Sequence, residues 1–139
     1  MDKVKFTPFI CLKDDYFSKT YGVPAQNPLE EKHLFSYSIC SVDDYDFPVY
    51  RKEVPNFNIL EIVAGTNGYH DGDSGHGCRT FVRLRNLGCT DIKVNKLVDS
   101  CGDDEGVEIL LGGDAELSTL IEALEFAADV LKSQCKAFF

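Results

Sequence analysis

The sequence predicts an α+β fold in which an antiparallel β-sheet of five to seven strands packs against one long C-terminal α-helix. Several segments alternate apolar and polar residues with a period of two, and short connections join them, which favours antiparallel pairing. The last part of the chain instead repeats its apolar residues at helical spacing. With 139 residues, 44% of them hydrophobic, the chain is expected to form a single domain over residues 1–139 with one core.

The first half of the chain is predicted to be mostly strand and loop. Pro8 interrupts the first apolar run, so this strand is expected at a sheet edge. Residues 13–33 mix charge with Gly and Pro and are predicted to be loop. The strands predicted before the glycine-rich region cover residues 6–12, 34–42, 47–52 and 57–64.

The second half is predicted to contain three strands and the helix. The strands cover 79–86, 90–98 and 107–111, with an acidic turn over 99–106 between the last two. Asp114 follows two glycines and can cap a helix over 115–134. Its apolar stripe is expected to lie on the sheet and consists of Leu117, Leu120, Ile121, Leu124, Ala128 and Leu131. The residues expected to face outward are Glu116, Glu122, Glu125 and Asp129.

Charge and composition restrict the classes of function. A formal net charge of −9 argues against direct binding of nucleic acid, because phosphate contacts need a basic surface. No apolar stretch approaches a membrane span and no signal-peptide core follows the N-terminus, so the expected location is the cytoplasm, without a membrane partner. The six cysteines contain no C-x-x-C pair and are predicted to be reduced thiols.

The segment from 65 to 80 carries the densest chemistry in the chain. It combines five glycines with two histidines, two aspartates and a cysteine. Glycine lets the backbone approach a ligand closely, and successive backbone N–H groups can cradle an anion. This segment is therefore interpreted as a binding loop.

The strand after this loop is basic. Arg79, Phe81, Arg83 and Arg85 should share one face because side chains alternate along a strand. Guanidinium groups bind phosphate and carboxylate, so loop and strand together predict a site for a small anionic ligand, a nucleotide or a phosphorylated metabolite. An aromatic ring of the set can stack on a base, and its hydroxyl groups can donate hydrogen bonds. The predicted ligand-binding residues are Tyr69, His70, Asp73, Ser74, His76, Arg79, Thr80, Phe81, Arg83 and Arg85.

The leading hypothesis is a non-catalytic binding protein that holds or sequesters such a ligand. No nucleophile with an orienting partner is evident, so no catalytic residue, resident metal or cofactor is predicted. A homodimer is considered because pockets of this kind often form between protomers.

Two other classes of function remain open. An acidic inhibitor or adaptor would dock on a basic partner protein by presenting carboxylates as a nucleic-acid mimic. A metal-dependent hydrolase would use His70, Asp73 and His76 as ligands.

Overall fold

A computed structural model describes residues 4–6, 10–11, 35–69 and 77–135 of the chain. Antiparallel strands and a long C-terminal helix make up the described part, which confirms the predicted α+β fold class. The elements are β1 (Lys5–Phe6), β2 (Ile10–Cys11), β3 (Ser36–Val42), β4 (Tyr45–Pro55), β5 (Ile59–Thr66), β6 (Thr80–Gly88), β7 (Lys93–Val98), β8 (Asp104–Leu110) and α1 (Asp114–Cys135). Within these ranges no helix is long and apolar enough to cross a bilayer.

The main sheet has the strand order β1-β3-β4-β5-β6, and β2 pairs with β3 on the same side as β1. All of these pairs are antiparallel. The two-residue strands β1 and β2 lie at the sheet edge, as Pro8 in the sequence between them predicts. At the centre of the sheet, β5 is buried from Leu60 to Thr66, as its nearly continuous apolar sequence requires.

The sheet curls until its two edges come close together. Phe6 on β1 and Phe81 on β6 belong to opposite edge strands, yet their ring centroids are 5.1 Å apart. We call the face that carries these two rings the inner face, and the opposite face, on which α1 packs, the helix face. A small apolar cluster on the inner face contains Cys40, Phe47, Val49 and Val63.

The helix packs on the sheet through two alanines, a phenylalanine and a valine rather than through Leu117 and Leu124. Ala123, Ala127, Phe126 and Val130 are buried against the helix face, where they meet Tyr37 and other large sheet residues. Because the sheet supplies the bulk, alanines on the helix let the two layers approach closely.

The predicted helix orientation is therefore wrong. Four side chains of the stripe expected on the sheet are exposed: Leu117, Ile121, Leu124 and Ala128. Glu116, expected to face outward, is buried. It accepts hydrogen bonds from the backbone N–H groups of Asp91 (2.9 Å) and Gly112 (3.0 Å) and so ties the first helical turn to the preceding segments.

Strands β7 and β8 form a separate two-stranded ribbon, which we call the arm (residues 93–110). Every residue of both strands is exposed. The hydrogen bonds of Glu116 fix the base of the arm to the start of α1, and the strands extend from that point.

Candidate functional site

Glu61 is a charged residue in the middle of the buried central strand. Its side chain has no exposed surface, although its neighbours in β5 are apolar. A buried carboxylate is costly unless it is paired and hydrogen-bonded. The surroundings of Glu61 must therefore contain cations that compensate for its burial.

Three arginines provide that compensation. Arg83 Nε donates to Oε1 of Glu61 at 3.0 Å, and a terminal nitrogen of Arg85 donates to Oε2 at 2.9 Å. Arg51 Nε also donates to Oε2, from the opposite side of Glu61. We call Glu61 and these three arginines the guanidinium cluster.

Strand register explains why the cluster forms. Glu61 on β5 lies directly opposite Arg85 on β6. Arg83 and Arg51 are both opposite Val63, which follows Glu61 by two residues and therefore lies on the same face of the sheet. On its β4 side Glu61 lies opposite a like charge, Glu53, which by itself would be unfavourable. Arg51 relieves this repulsion because it also donates to Glu53, at 2.8 Å.

The cluster keeps Glu61 ionised. Burial alone would raise the pKa of Glu61, but the hydrogen bond from Arg51 and the positive charges of Arg83 and Arg51 outweigh burial and lower it. Burial would likewise lower the pKa of Arg51, but the carboxylates of Glu61 and Glu53 raise it. An ionised carboxylate held by three guanidinium groups is a counter-ion and is poorly suited to proton transfer.

Positive charge remains in excess at this site. Among the described residues, three arginines face two carboxylates, Glu61 and Glu53, which leaves one net positive charge in a chain whose net charge is −9. Each guanidinium has five N–H groups, so the three offer fifteen, of which four donate to those carboxylates. Arg85 is 53% exposed, so part of this donor capacity faces solvent.

A cavity of about 570 Å³ adjoins the cluster at Arg51. It lies where β4 continues past the start of β3, which pairs its first residue, Ser36, with Arg51. Its apolar walls are Phe35, Pro55 and Ile59. Its charged lining is Arg51, Lys52, Glu53 and Glu122, and Lys52 pairs with Glu122 at 3.6 Å. Concave sites of this size with a few charged groups on apolar walls are typical of small-molecule binding.

The predicted site residues do not all come together. Arg83 and Arg85 lie in the cluster, and Phe81 lies beside it on the inner face, with its ring edge-on to Phe6. The guanidinium of Arg83 lies over the same Phe6 ring, 5.4 Å from its centroid.

Arg79 lies apart from the cluster. Its Nε donates to Asp43 at 3.1 Å, in the β3–β4 turn, and its guanidinium lies 5.1 Å from the ring centroid of Tyr45. Thr80 lies within hydrogen-bond distance of the Thr66 hydroxyl, at 3.0 Å.

The base of the glycine-rich segment is closed by one asparagine. Asn67 accepts a hydrogen bond from the backbone N–H of Arg79 (2.7 Å) and donates one to the carbonyl of Gly77 (2.9 Å). Tyr69, just beyond this clamp, is exposed. His70, Asp73, Ser74 and His76 lie outside the described residues. Across the ranges that are described, no group of three His, Cys, Asp or Glu side chains is arranged to hold a metal.

Sequence reasoning missed Glu61, Glu53 and Arg51. One signal was present, because Glu61 is the single charged residue in the apolar run from 59 to 66. A charge in such a run predicts a buried ion pair. Its partners were not identifiable, since that requires the pairing of β4 and β6 with β5.

Comparison with known proteins gives no further assignment: no family model, curated protein or solved structure matches the chain.

Proposed function

We propose that the protein binds a small anionic, nucleotide-like ligand, without chemical turnover, at the guanidinium cluster and the adjoining cavity. The observation that carries the proposal is the excess positive charge around one buried carboxylate. Glu61 holds three guanidinium groups in place, and Arg85, which is half-exposed, can offer its remaining N–H groups to a second anion.

The layout of the cluster suits a phosphate or carboxylate group. Arg51 on β4 and Arg85 on β6 flank Glu61 on β5, so the two backbones are two strand spacings apart, about 10 Å. A tetrahedral or planar anion near Glu61 can accept hydrogen bonds from both sides. Guanidinium groups already fixed by Glu61 lose little rotamer freedom on binding, which favours affinity.

The cavity beside Arg51 gives a reason to expect an organic ligand rather than a bare ion. Phe35, Pro55 and Ile59 offer apolar walls for a ring or a sugar, and Arg51 faces the cavity from the cluster. The glycine-rich segment is not required by this arrangement. That Tyr69 and the residues after it contribute to ligand binding remains a prediction from the sequence.

A thermal-shift panel tests the proposal. Inorganic phosphate, pyrophosphate, mononucleotides, cyclic dinucleotides and sugar phosphates are compared at constant ionic strength. A ligand present at a hundredfold excess over its Kd adds about 2.7 kcal/mol to the free energy of unfolding. At least one compound in the panel is expected to raise Tm, and titration calorimetry then gives its Kd.

Two arginine variants locate the site. Arg85→Ala is expected to weaken binding by about 10- to 150-fold, the equivalent of about 1.5–3 kcal/mol for a charged hydrogen bond. Arg79→Ala is the matched control, because it removes the same charge from the same chain segment but outside the cluster. A panel in which nothing binds, or an equal loss of affinity in both variants, contradicts the proposal.

A second candidate function is docking on a basic protein. Glu122, Glu125 and Asp129 form an acidic row on α1, at positions three or four residues apart that share one side of the helix. This candidate predicts binding to a basic partner that weakens as salt is added and is indifferent to Arg85→Ala. A panel without ligands together with such salt-sensitive binding would favour it.

A further inference from the structure

In the part of the chain that the structure describes, α1 and the arm each expose a row of apolar side chains to solvent. The first is the leucine flank, a row on α1 formed by Leu117, Ile121 and Leu124. Steps of four and three residues keep these side chains on one side of the helix. The row has the spacing of a helix that packs against another protein surface.

The contacts on the opposite side of α1 show which way the leucine flank points. Lys52 on β4 pairs with Glu122 at 3.6 Å, so the side of α1 that carries Glu122 faces β4. The leucine flank lies on the other side and therefore points toward β6, a sheet edge. Val82 on the helix face of β6 is also exposed.

The arm is the second apolar surface. Val94 pairs with Ile109, and Lys96 pairs with Val107, so these four side chains share one face of the ribbon. Three of the four are apolar and exposed. A two-stranded ribbon without a covering layer is only marginally stable in water, which indicates that another surface covers this face.

The arm of a given chain does not cover its own leucine flank, since both surfaces are exposed in the same structure. We infer that a second copy of this chain covers them: the arm of each protomer packs on the leucine flank of its partner. Each copy carries one arm and one flank, so a two-fold dimer satisfies both surfaces at once.

Length and charge support this pairing. Six residues of strand β7 extend about 20 Å. The leucine flank rises about 10 Å from Leu117 to Leu124, and Ala128, exposed on the same side of the helix, extends it to about 16 Å. Lys96 lies on the apolar face of the arm, while Glu125 follows Ile121 by one helical turn and borders the leucine flank. Lys96 already pairs with Asp104 of its own arm at 2.7 Å, so in the dimer its ammonium group would lie between Asp104 and Glu125 of the partner at the rim of the apolar contact.

The area available predicts a weak dimer. The three apolar arm residues and the three flank residues are 43–60% exposed. Burying a fully exposed side chain of this size removes roughly 60–120 Å² of apolar surface, and about half of each is exposed here, so the six offer on the order of 200–400 Å² per copy. A small interface of about 600 Å² per partner contains roughly 340 Å² of apolar surface. We therefore expect a Kd in the micromolar range.

Sedimentation equilibrium of the full chain measures the dimer, whose mass should be twice the 15.5 kDa of the monomer. Ile109→Glu on the arm and Leu124→Lys on the flank should each raise the Kd of the dimer at least tenfold. Phe57→Lys is the matched control, because Phe57 is 91% exposed in the β4–β5 connection, outside both surfaces. Circular dichroism melts establish that each variant is folded.

An equimolar mixture of the Ile109→Glu and Leu124→Lys variants distinguishes this arrangement from other dimers. The mixed dimer has one unaltered arm–flank contact and one contact in which the new carboxylate on the arm meets the new ammonium group on the flank, so the dimer should reappear. Arm-to-arm or flank-to-flank dimers do not predict this recovery. A wild-type chain that is monomeric at about 200 µM, well above a micromolar Kd, would overturn the inference. So would a mixture that stays monomeric, or a Phe57→Lys variant as weak as the other two.

Discussion

Replacing Glu61 with glutamine removes the counter-charge of the guanidinium cluster while keeping nearly the same side-chain volume. Three arginines then surround a neutral amide, and part of the amide presents N–H donors to guanidinium donors. Breaking a fully buried ion pair costs about 3–5 kcal/mol, and a hydrogen bond to a charged group contributes about 1.5–3 kcal/mol. Because all three arginines keep some contact with water, we expect Glu61→Gln to lower the free energy of unfolding by about 2–4 kcal/mol.

The expected change in melting temperature follows from the length of the chain. At about 2.1 cal/mol/K per residue, 139 residues give an unfolding entropy of about 0.29 kcal/mol/K. A loss of 2–4 kcal/mol then lowers Tm by about 7–14 °C. The chain has no tryptophan, so circular dichroism of α1 in urea and in thermal melts is the suitable measurement.

The pH dependence provides a second test of Glu61. The folded state lowers the pKa of its carboxyl, so the stabilisation is complete above the unfolded-state value of about 4.3 and is lost as pH falls through the folded-state value. The gap between wild type and Glu61→Gln should be constant from about pH 5 to 7 and shrink below about pH 4.

Glu53→Gln is the matched control for this experiment. Glu53 also contacts Arg51 but is exposed, so its replacement should cost about 1 kcal/mol or less. A Glu61→Gln protein as stable as wild type at pH 7 would refute the role assigned to the cluster. A stability gap unchanged in acid would refute it as well.

Two further predictions concern the inner face of the sheet. Gly65→Ala should lower the free energy of unfolding by about 1–3 kcal/mol, because a Cβ at this position would overlap the adjacent strand β4. Gly88 has open space around it, so Gly88→Ala should be near neutral; urea denaturation measures both variants. Burial raises the pKa of Cys40 to about 11, so this thiol should resist alkylation at pH 8 in the native protein, while the exposed Cys89 and Cys101 react. Peptide mass spectrometry identifies the labelled cysteines. Rapid labelling of Cys40 in the native protein would contradict its burial.

The fold was largely predictable because local patterns determine it. Period-two alternation located the longer strands to within a few residues, and glycines followed by Asp114 located the start of α1. Alternation also placed Arg83 and Arg85 on one strand face, which the shared contact with Glu61 confirms.

Orientation of the helix was less predictable, because α1 has two apolar sides. Its larger residues, such as Leu117 and Leu124, formed the stronger periodic signal, whereas Ala123 and Ala127 formed the weaker one. The sheet binds the alanine side, since its own helix face is already filled by bulky residues such as Tyr37. A sequence pattern reports that a helix is amphipathic, but it does not report the shape of the surface opposite.

The sequence by itself determined the α+β class, the alternating faces of the strands and the basic character of β6, because each depends on residues close together in the chain. Tertiary structure alone decided which charges meet. Arg51 and Arg85 are 34 positions apart and converge only because β4 and β6 pair with opposite sides of β5. Because Glu61 is buried in that central strand, its carboxylate must be paired with cations, and no local sequence pattern specifies which cations those are.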